Sequence, residues 1–419
     1  MNRKTIMLAF MATIVILFSC KKDETVTPPP PAPQPNQTVT AISPTSGPKN
    51  TLVTITGTNF GTNASALKVY FNGVQGAIQS VTDVQITATV PAGASTGVVK
   101  VEKNNAQVAG PAFTFQGSGT VITLSLTGPA TNLHSPSGIA KDAAGNLFVC
   151  DRDNHRIVKI TPAGVTSVFA GGSAWGFADG TGTSAQFNQP YCITIDAAGN
   201  FYVGDRMNHA IRKITAAGVV TTFAGNGGGG YVNGTGTAAM FNEPLGIAAD
   251  AAGNIYVADY LNNALRKITP AGAVTTLTSV TSIFGVAVDG EGNVYCAEYG
   301  NQQVSKYSTS GVYSIVAGQS GAGGFADGAG NTARFNFPAG IMVDANRNLF
   351  ITETVNNRVR KVTSSGMVST LAGNTAGFID GEGVAARFDA PIAVTGDLSN
   401  GAIYIADFSN NKIRKLIVD

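Results

Sequence analysis

Six acidic residues recur along positions 120–419 with one local signature. Asp151, Asp205, Asp259, Glu298, Glu353 and Asp407 are each followed three residues later by an asparagine: Asn154, Asn208, Asn262, Asn301, Asn356 and Asn410. A second, rarer series is interleaved with them: Phe177 with Asp179, Tyr231 with Asn233, Phe325 with Asp327 and Phe378 with Asp380, an aromatic residue followed two positions later by an acid or amide and then glycine. Trp175, the only tryptophan, precedes the first copy and stands outside the repeated pattern. Carboxylates and amides hydrogen-bond hydroxyl groups, and aromatic faces stack on sugar rings or anchor a protein side chain. This combination suits non-covalent recognition of a glycan or a protein.

Catalytic chemistry is less well served. The chain has three histidines, His134, His155 and His209, of which the last two occupy equivalent positions in neighbouring repeats. A zinc site needs three or four ligands about 2 Å from the metal. Asp179, Asp327 and Asp380 leave calcium open, because hard cations take carboxylate and carbonyl oxygens. The Asp-Gly-x-Gly pattern nevertheless lacks the alternating acids of a recognisable calcium loop, so no cofactor is expected. No Gly-x-Ser-x-Gly elbow or phosphate-binding loop stands out. A lyase or hydrolase using scattered carboxylates is the competing functional class.

The elements that position these residues are repeats. Segments ending on Asp142, Asp196, Asp250, Asp289, Asp344 and Asp397 align six times, at spacings of 54, 54, 39, 55 and 53 residues. Each is followed by a turn, a strand that ends on one of the six acids, a loop and two further strands, such as 210–214 and 219–223 in the second copy. Four short antiparallel strands per 40–55 residues make the blade of a β-propeller. The run Asp151-Arg152-Asp153-Asn154-His155-Arg156-Ile157-Val158-Lys159-Ile160 resembles the NHL repeat. That resemblance covers about 300 residues and implies six blades. The last copy ends with its third strand, so the segment 120–128 is expected to supply the fourth and close the ring.

Four of the five spacings are long because they hold the aromatic-acid series. Such inserts join one blade's outer strand to the next blade's inner strand, which puts them on the face of the loops that follow the second strands. The candidate ligand site is therefore a ring of acid, amide and aromatic groups around one channel mouth. A structural reading of the same residues stands beside it: Phe187, Phe241, Phe335 and Phe388 as plugs between blades, and the acids as orienters of loop amides.

Ahead of the propeller, short β-branched runs at 52–56, 67–71, 85–90 and 97–101 alternate with turn residues in the manner of a small antiparallel sandwich. Ile42-Ser43-Pro44, Thr56-Gly57-Thr58-Asn59-Phe60-Gly61 and Val90-Pro91-Ala92-Gly93 resemble the IPT/TIG family of immunoglobulin-like domains over 39–115, which implies spacing or adhesion. The fold class is thus all-β, an immunoglobulin-like β-sandwich followed by a six-bladed β-propeller at 120–419. Cys150, Cys192 and Cys296 fall on strands and are expected to be core residues.

Residues 1–19 read as an export signal: Arg3 and Lys4, an apolar run from Ile6 to Phe18, then Leu17-Phe18-Ser19-Cys20. The last four resemble a bacterial lipobox, which implies lipidation of Cys20 and a membrane partner held through lipid. Lys21-Lys22-Asp23-Glu24 resembles the export signal of Bacteroidetes-type lipoproteins displayed at the outer membrane. Residues 20–38 carry six prolines and form a tether. With 27 Lys+Arg against 25 Asp+Glu, the formal charge of +2 lacks the basic excess needed for nucleic acid.

Overall fold

The computed structural model describes residues 36–418 apart from 93, 95, 116, 173, 399 and 400. The leader, Cys20 and the tether as far as 35 lie outside the described residues.

The first unit is a β-sandwich. Its strands alternate buried and exposed positions, as in Leu52–Thr58, where Val53 and Ile55 face inward. The strand Val74–Thr82 shifts register between Ile78 and Ser80, pairing with Gln85–Thr89 on one side and Leu67–Phe71 on the other. Val53, Ile55 and Ile86 thereby meet Val69, Phe71, Val101 and Phe113 in one core. Each such side chain contributes about 1.5–3 kcal/mol by leaving water.

The second unit is a ring of six antiparallel sheets. Blade 2 shows the pattern: Pro190–Ile195 lines the channel, then Phe201–Asp205, Ala210–Ile214 and Val219–Ala224 step outward. Adjacent blades bury apolar faces against each other, as where Phe148 of blade 1 packs on Phe201 of blade 2 at 4.2 Å between ring centres. Close approach at the axis demands small residues. A Cβ on Gly246 would lie 2.2 Å from the Phe284 carbonyl, and one on Gly285 2.2 Å from that of Ala339. Asp142, Asp196, Asp250, Asp289 and Asp344 fold the turn after their inner strands: Asp196 accepts from the Asn200 backbone and side-chain amides and from the Tyr202 hydroxyl.

Closure is non-covalent, by strand pairing. Gly119–Thr123 pairs with Lys412–Val418 on one side and with Gly381–Glu382 on the other. Beyond Thr123 the chain leaves blade 6 and bridges to blade 1 at Thr127 and Val165. The ring is also laced at every blade junction by one hydrogen bond. His155 and His209 accept through Nδ1 from the backbone N–H of Gln189 and Glu243, both at 3.1 Å. Asn263, Gln302, Asn357 and Asn411 do the same with side-chain oxygens, the last reaching Ser135 of blade 1. The named histidines are thus inter-blade clasps, interchangeable with amides.

Candidate functional site

The six repeated acids are the first group to place. All are buried, with no exposed surface. Asp205 accepts from Asn188 N–H at 2.7 Å, Asn208 Nδ2 at 2.8 Å and Arg212 Nη1 at 2.9 Å. Asp259, Glu353 and Asp407 repeat this set with Arg266, Arg360 and Arg414 at 2.6, 2.7 and 2.6 Å. Asp151 uses Arg156 instead, and Glu298 uses Asn301, Gln303 and the Tyr313 hydroxyl. The expected ligand ring of Asp151, Asp205, Asp259, Glu298, Glu353 and Asp407 is therefore corrected: their oxygens are spent inside the blades, out of a ligand's reach. Burial pushes Asp205 up to about 6 and raises Asp259, Glu353 and Asp407 in the same direction, opposed by the arginines and amides.

The inserts explain the arginines. Each insert adds a two-residue fifth strand to the outer edge of the blade it precedes, Gly180–Thr181 beside Val219 and Val220 for example. It then folds over the buried guanidinium. Arg212 lies between Phe177 and Phe187 at 4.9 and 5.2 Å, Arg266 between Tyr231 and Phe241 at 5.1 Å each, Arg360 between Phe325 and Phe335 at 5.0 and 5.2 Å, and Arg414 between Phe378 and Phe388 at 5.0 and 5.2 Å. Asp179, Asn233, Asp327 and Asp380 each accept from Nη2 at 2.6–2.9 Å. These four are partners of a structural arginine, and the Asp179 and Asp380 side chains stay about half exposed, at 52% and 49%. A guanidinium this close to Asp179, Asp327 and Asp380 also makes them poor calcium ligands, since the cation would meet a fixed positive charge. Against desolvation, Arg212 and Thr222 still hold Asp179 below its ordinary value.

Arginine and insert occur together. Blades 1 and 4, which follow no insert, have Val158 and Ser305 at the arginine position. The aromatics over the arginines keep one face in solvent: Phe177, Tyr231, Phe325 and Phe378 are half-exposed, and Trp175 is 69% exposed. Asn208, Asn262, Asn356 and Asn410 donate to the carbonyls of Gly176, Gly230, Gly324 and Gly377, so inserts and loops do share one face of the ring. The inserts form its outer circle.

The inner circle belongs to residues that sequence reasoning missed. The position directly after each acid carries Arg152, Arg206, Tyr260, Tyr299, Thr354 and Phe408. Tyr299 stacks on Phe284 at 5.1 Å and 22° and meets Phe337 at 4.6 Å, while Tyr260 reaches Phe284 at 6.4 Å. Arg152 sits over Phe408 at 4.6 Å and Arg206 over Tyr191 at 5.7 Å. Tyr191 and Phe284 belong to the wall of the channel, whose free volume below them is about 80 Å³. These side chains close the mouth into a shallow platform, aromatic on the blade 3 to 5 side and charged on the blade 1 to 2 side. One signal in the sequence marks them: the acid is conserved in all six repeats, and its neighbour is not. Among the described residues no group of three or more His, Cys, Asp or Glu is arranged to hold a metal.

Comparison with known proteins agrees with this architecture. The IPT/TIG domain model matches residues 38–123, and the NHL repeat model matches 133–160 and 241–268. The chain carries an IPT/TIG domain and an NHL-repeat six-bladed propeller. The sandwich itself ends at Phe115, and the strand Gly119–Thr123 inside the IPT/TIG match belongs to blade 6 of the NHL propeller. A structural genomics protein of unknown function from Bacteroides thetaiotaomicron shares the fold over 93% of this chain and 99% of its own, with 20% identity and a TM-score of 0.59. An auxiliary nutrient binding protein from Bacteroides ovatus matches over 93% of this chain and 99% of its own, with 19% identity and a TM-score of 0.57. NHL repeat-containing protein 2 of Bos taurus is 27% identical over 300 residues, which are 68% of this chain and 39% of that protein. The chain thus spans well under half of that curated relative.

Proposed function

We propose that this chain is a non-catalytic surface lipoprotein, lipidated at Cys20 and displayed at the outer membrane, whose NHL propeller binds a glycan at the loop-face channel mouth. The tether and IPT/TIG sandwich would act as spacers. One observation carries the reading: the mouth is where six repeats stop repeating, and what they present there is an aromatic platform edged by arginines and acids. Pockets for polyhydroxyl ligands combine a hydrophobic surface with a few placed polar groups. Around the mouth, Trp175, Phe177, Tyr231, Phe325 and Phe378 offer further stacking faces to a longer polymer. Two relatives of this architecture called auxiliary nutrient binding proteins support a binding role.

A glycan array probed with the purified protein tests it, followed by calorimetry on the retained glycan. Saturable binding, with the glycan recovered intact, is the expected result. Conversion of the glycan would favour the lyase or hydrolase class, and retention of a protein from whole cells without any glycan would favour a protein ligand.

A further inference from the structure

Resting on the reading that the mouth binds a glycan, we infer that the ligand is a neutral glycan, with one sugar ring against Tyr299 and Phe337 and hydroxyls of the same glycan chain at the Arg206–Glu243 pair. The mouth is split by polarity. On one side Tyr299 stacks on Phe284 at 5.1 Å and meets Phe337 at a tilt of 49° and 4.6 Å, and the residue is only partly buried. Such a preorganised ring suits the apolar face of a pyranose at little entropic cost.

On the other side Arg206 donates through Nε and Nη2 to Glu243 Oε2, at 2.9 and 2.6 Å, and through Nη1 to Gln189 Oε1 at 3.4 Å. Among the described residues nothing donates to Glu243 Oε1. Vicinal hydroxyls fit this arrangement, one donating to Oε1 and the next accepting from Nη1, and hydrogen bonds to charged groups are the stronger kind. Glu243 is not free to swing away. Its backbone is left-handed, with φ of 54°, and its N–H is clasped by His209.

Charge selects against acids. Arg152 is held by both oxygens of Asp153, at 2.9 and 3.0 Å, and Arg206 by one oxygen of Glu243, so each of these two guanidiniums faces a carboxylate. Both pairs are largely buried, at 19% and 22% exposure for one and 27% and 17% for the other. In so weakly screened a setting a uronate or sialate would meet carboxylates already paired with these two guanidiniums.

The test is calorimetry of the whole protein with laminarin, a mannan and polygalacturonate as probes, on wild type, Tyr299→Ala and Glu243→Ala, with thermal melting to check that each variant folds. At least one neutral polymer should bind, polygalacturonate should bind at least tenfold more weakly, and each variant should lose about tenfold or more of the neutral affinity. Binding of polygalacturonate as tight as that of the neutral polymers, or neutral binding indifferent to both variants, would overturn the inference and leave a glycan-binding propeller. Retention of no polymer, here or on the array, would overturn the glycan reading itself.

Discussion

Removing one buried arginine should separate a structural insert from a binding one. In Arg360→Leu, Glu353 keeps its amide donors and loses its counter-ion, with no exposed surface through which water could replace it. Arg360 Nη2 also holds Asp327 at 2.6 Å and the Ala326 carbonyl at 2.8 Å, and its two faces carry Phe325 and Phe335. Breaking a buried pair by removing one partner costs about 3–5 kcal/mol. At about 2–4 °C per kcal/mol for a domain of this order, the melting temperature should fall by about 6–20 °C. Arg347 provides the control. It pairs with Glu291 at a similar 2.9 Å, but the two side chains are 51% and 63% exposed. Arg347→Ala should cost less than about 1 kcal/mol. Combining Arg360→Leu with Glu353→Gln should cost less than the sum of the two, with a coupling of about 1–3 kcal/mol. Scanning calorimetry at pH 7 reads wild type and all four variants, Glu353→Gln alone included. Equal melting of Arg360→Leu and Arg347→Ala would refute the buried-ladder account of the inserts.

Further outcomes follow from the same contacts. Val121→Pro removes a backbone donor from the middle of the closing strand, where Val121 lies opposite Gly381 and Leu416, and should lower the melting temperature by at least as much as Arg360→Leu. His155 must stay neutral to accept from Gln189, and burial holds it below its ordinary value, partly offset by Asp153. The folded state therefore binds this proton less readily than the unfolded chain, and its stability drops as pH falls through about 6.5, levelling off below the depressed value. His155→Asn, the residue type found at three other blade junctions, should melt like wild type at pH 8 and above it at pH 5.5. Cys20→Ala should abolish incorporation of labelled palmitate and release the protein from membranes; unchanged incorporation would remove the lipid anchor from the account.

The architecture was legible because it repeats. Periodic aspartates, β-branched runs and turn glycines reveal the blade, and the missing outer strand of the sixth copy points to Gly119–Thr123. The site was less legible for the same reason. Asp205, Asp259, Glu353 and Asp407 draw the eye as a chemical series, yet a group present in every blade serves what every blade needs, here an acceptor for the loop asparagine three residues on, joined in these four blades by a buried arginine. Phe187 and Phe335 belong with them, fully buried against that arginine. Tyr299, Arg206 and Phe408 share a position but no chemistry, so no repeat pattern displays them. Their convergence depends on the ring geometry and on partners such as Phe284, Glu243 and Tyr191, which lie in other strands and loops.

The central claim is that ligand sits at the mouth and not on the outer circle. Affinity for a glycan retained on the array, measured by calorimetry for Tyr299→Ala beside Trp175→Ala, tests it most directly. The account predicts a loss of about tenfold or more in Tyr299→Ala and a smaller loss in Trp175→Ala. Binding abolished by Trp175→Ala and untouched by Tyr299→Ala would contradict it.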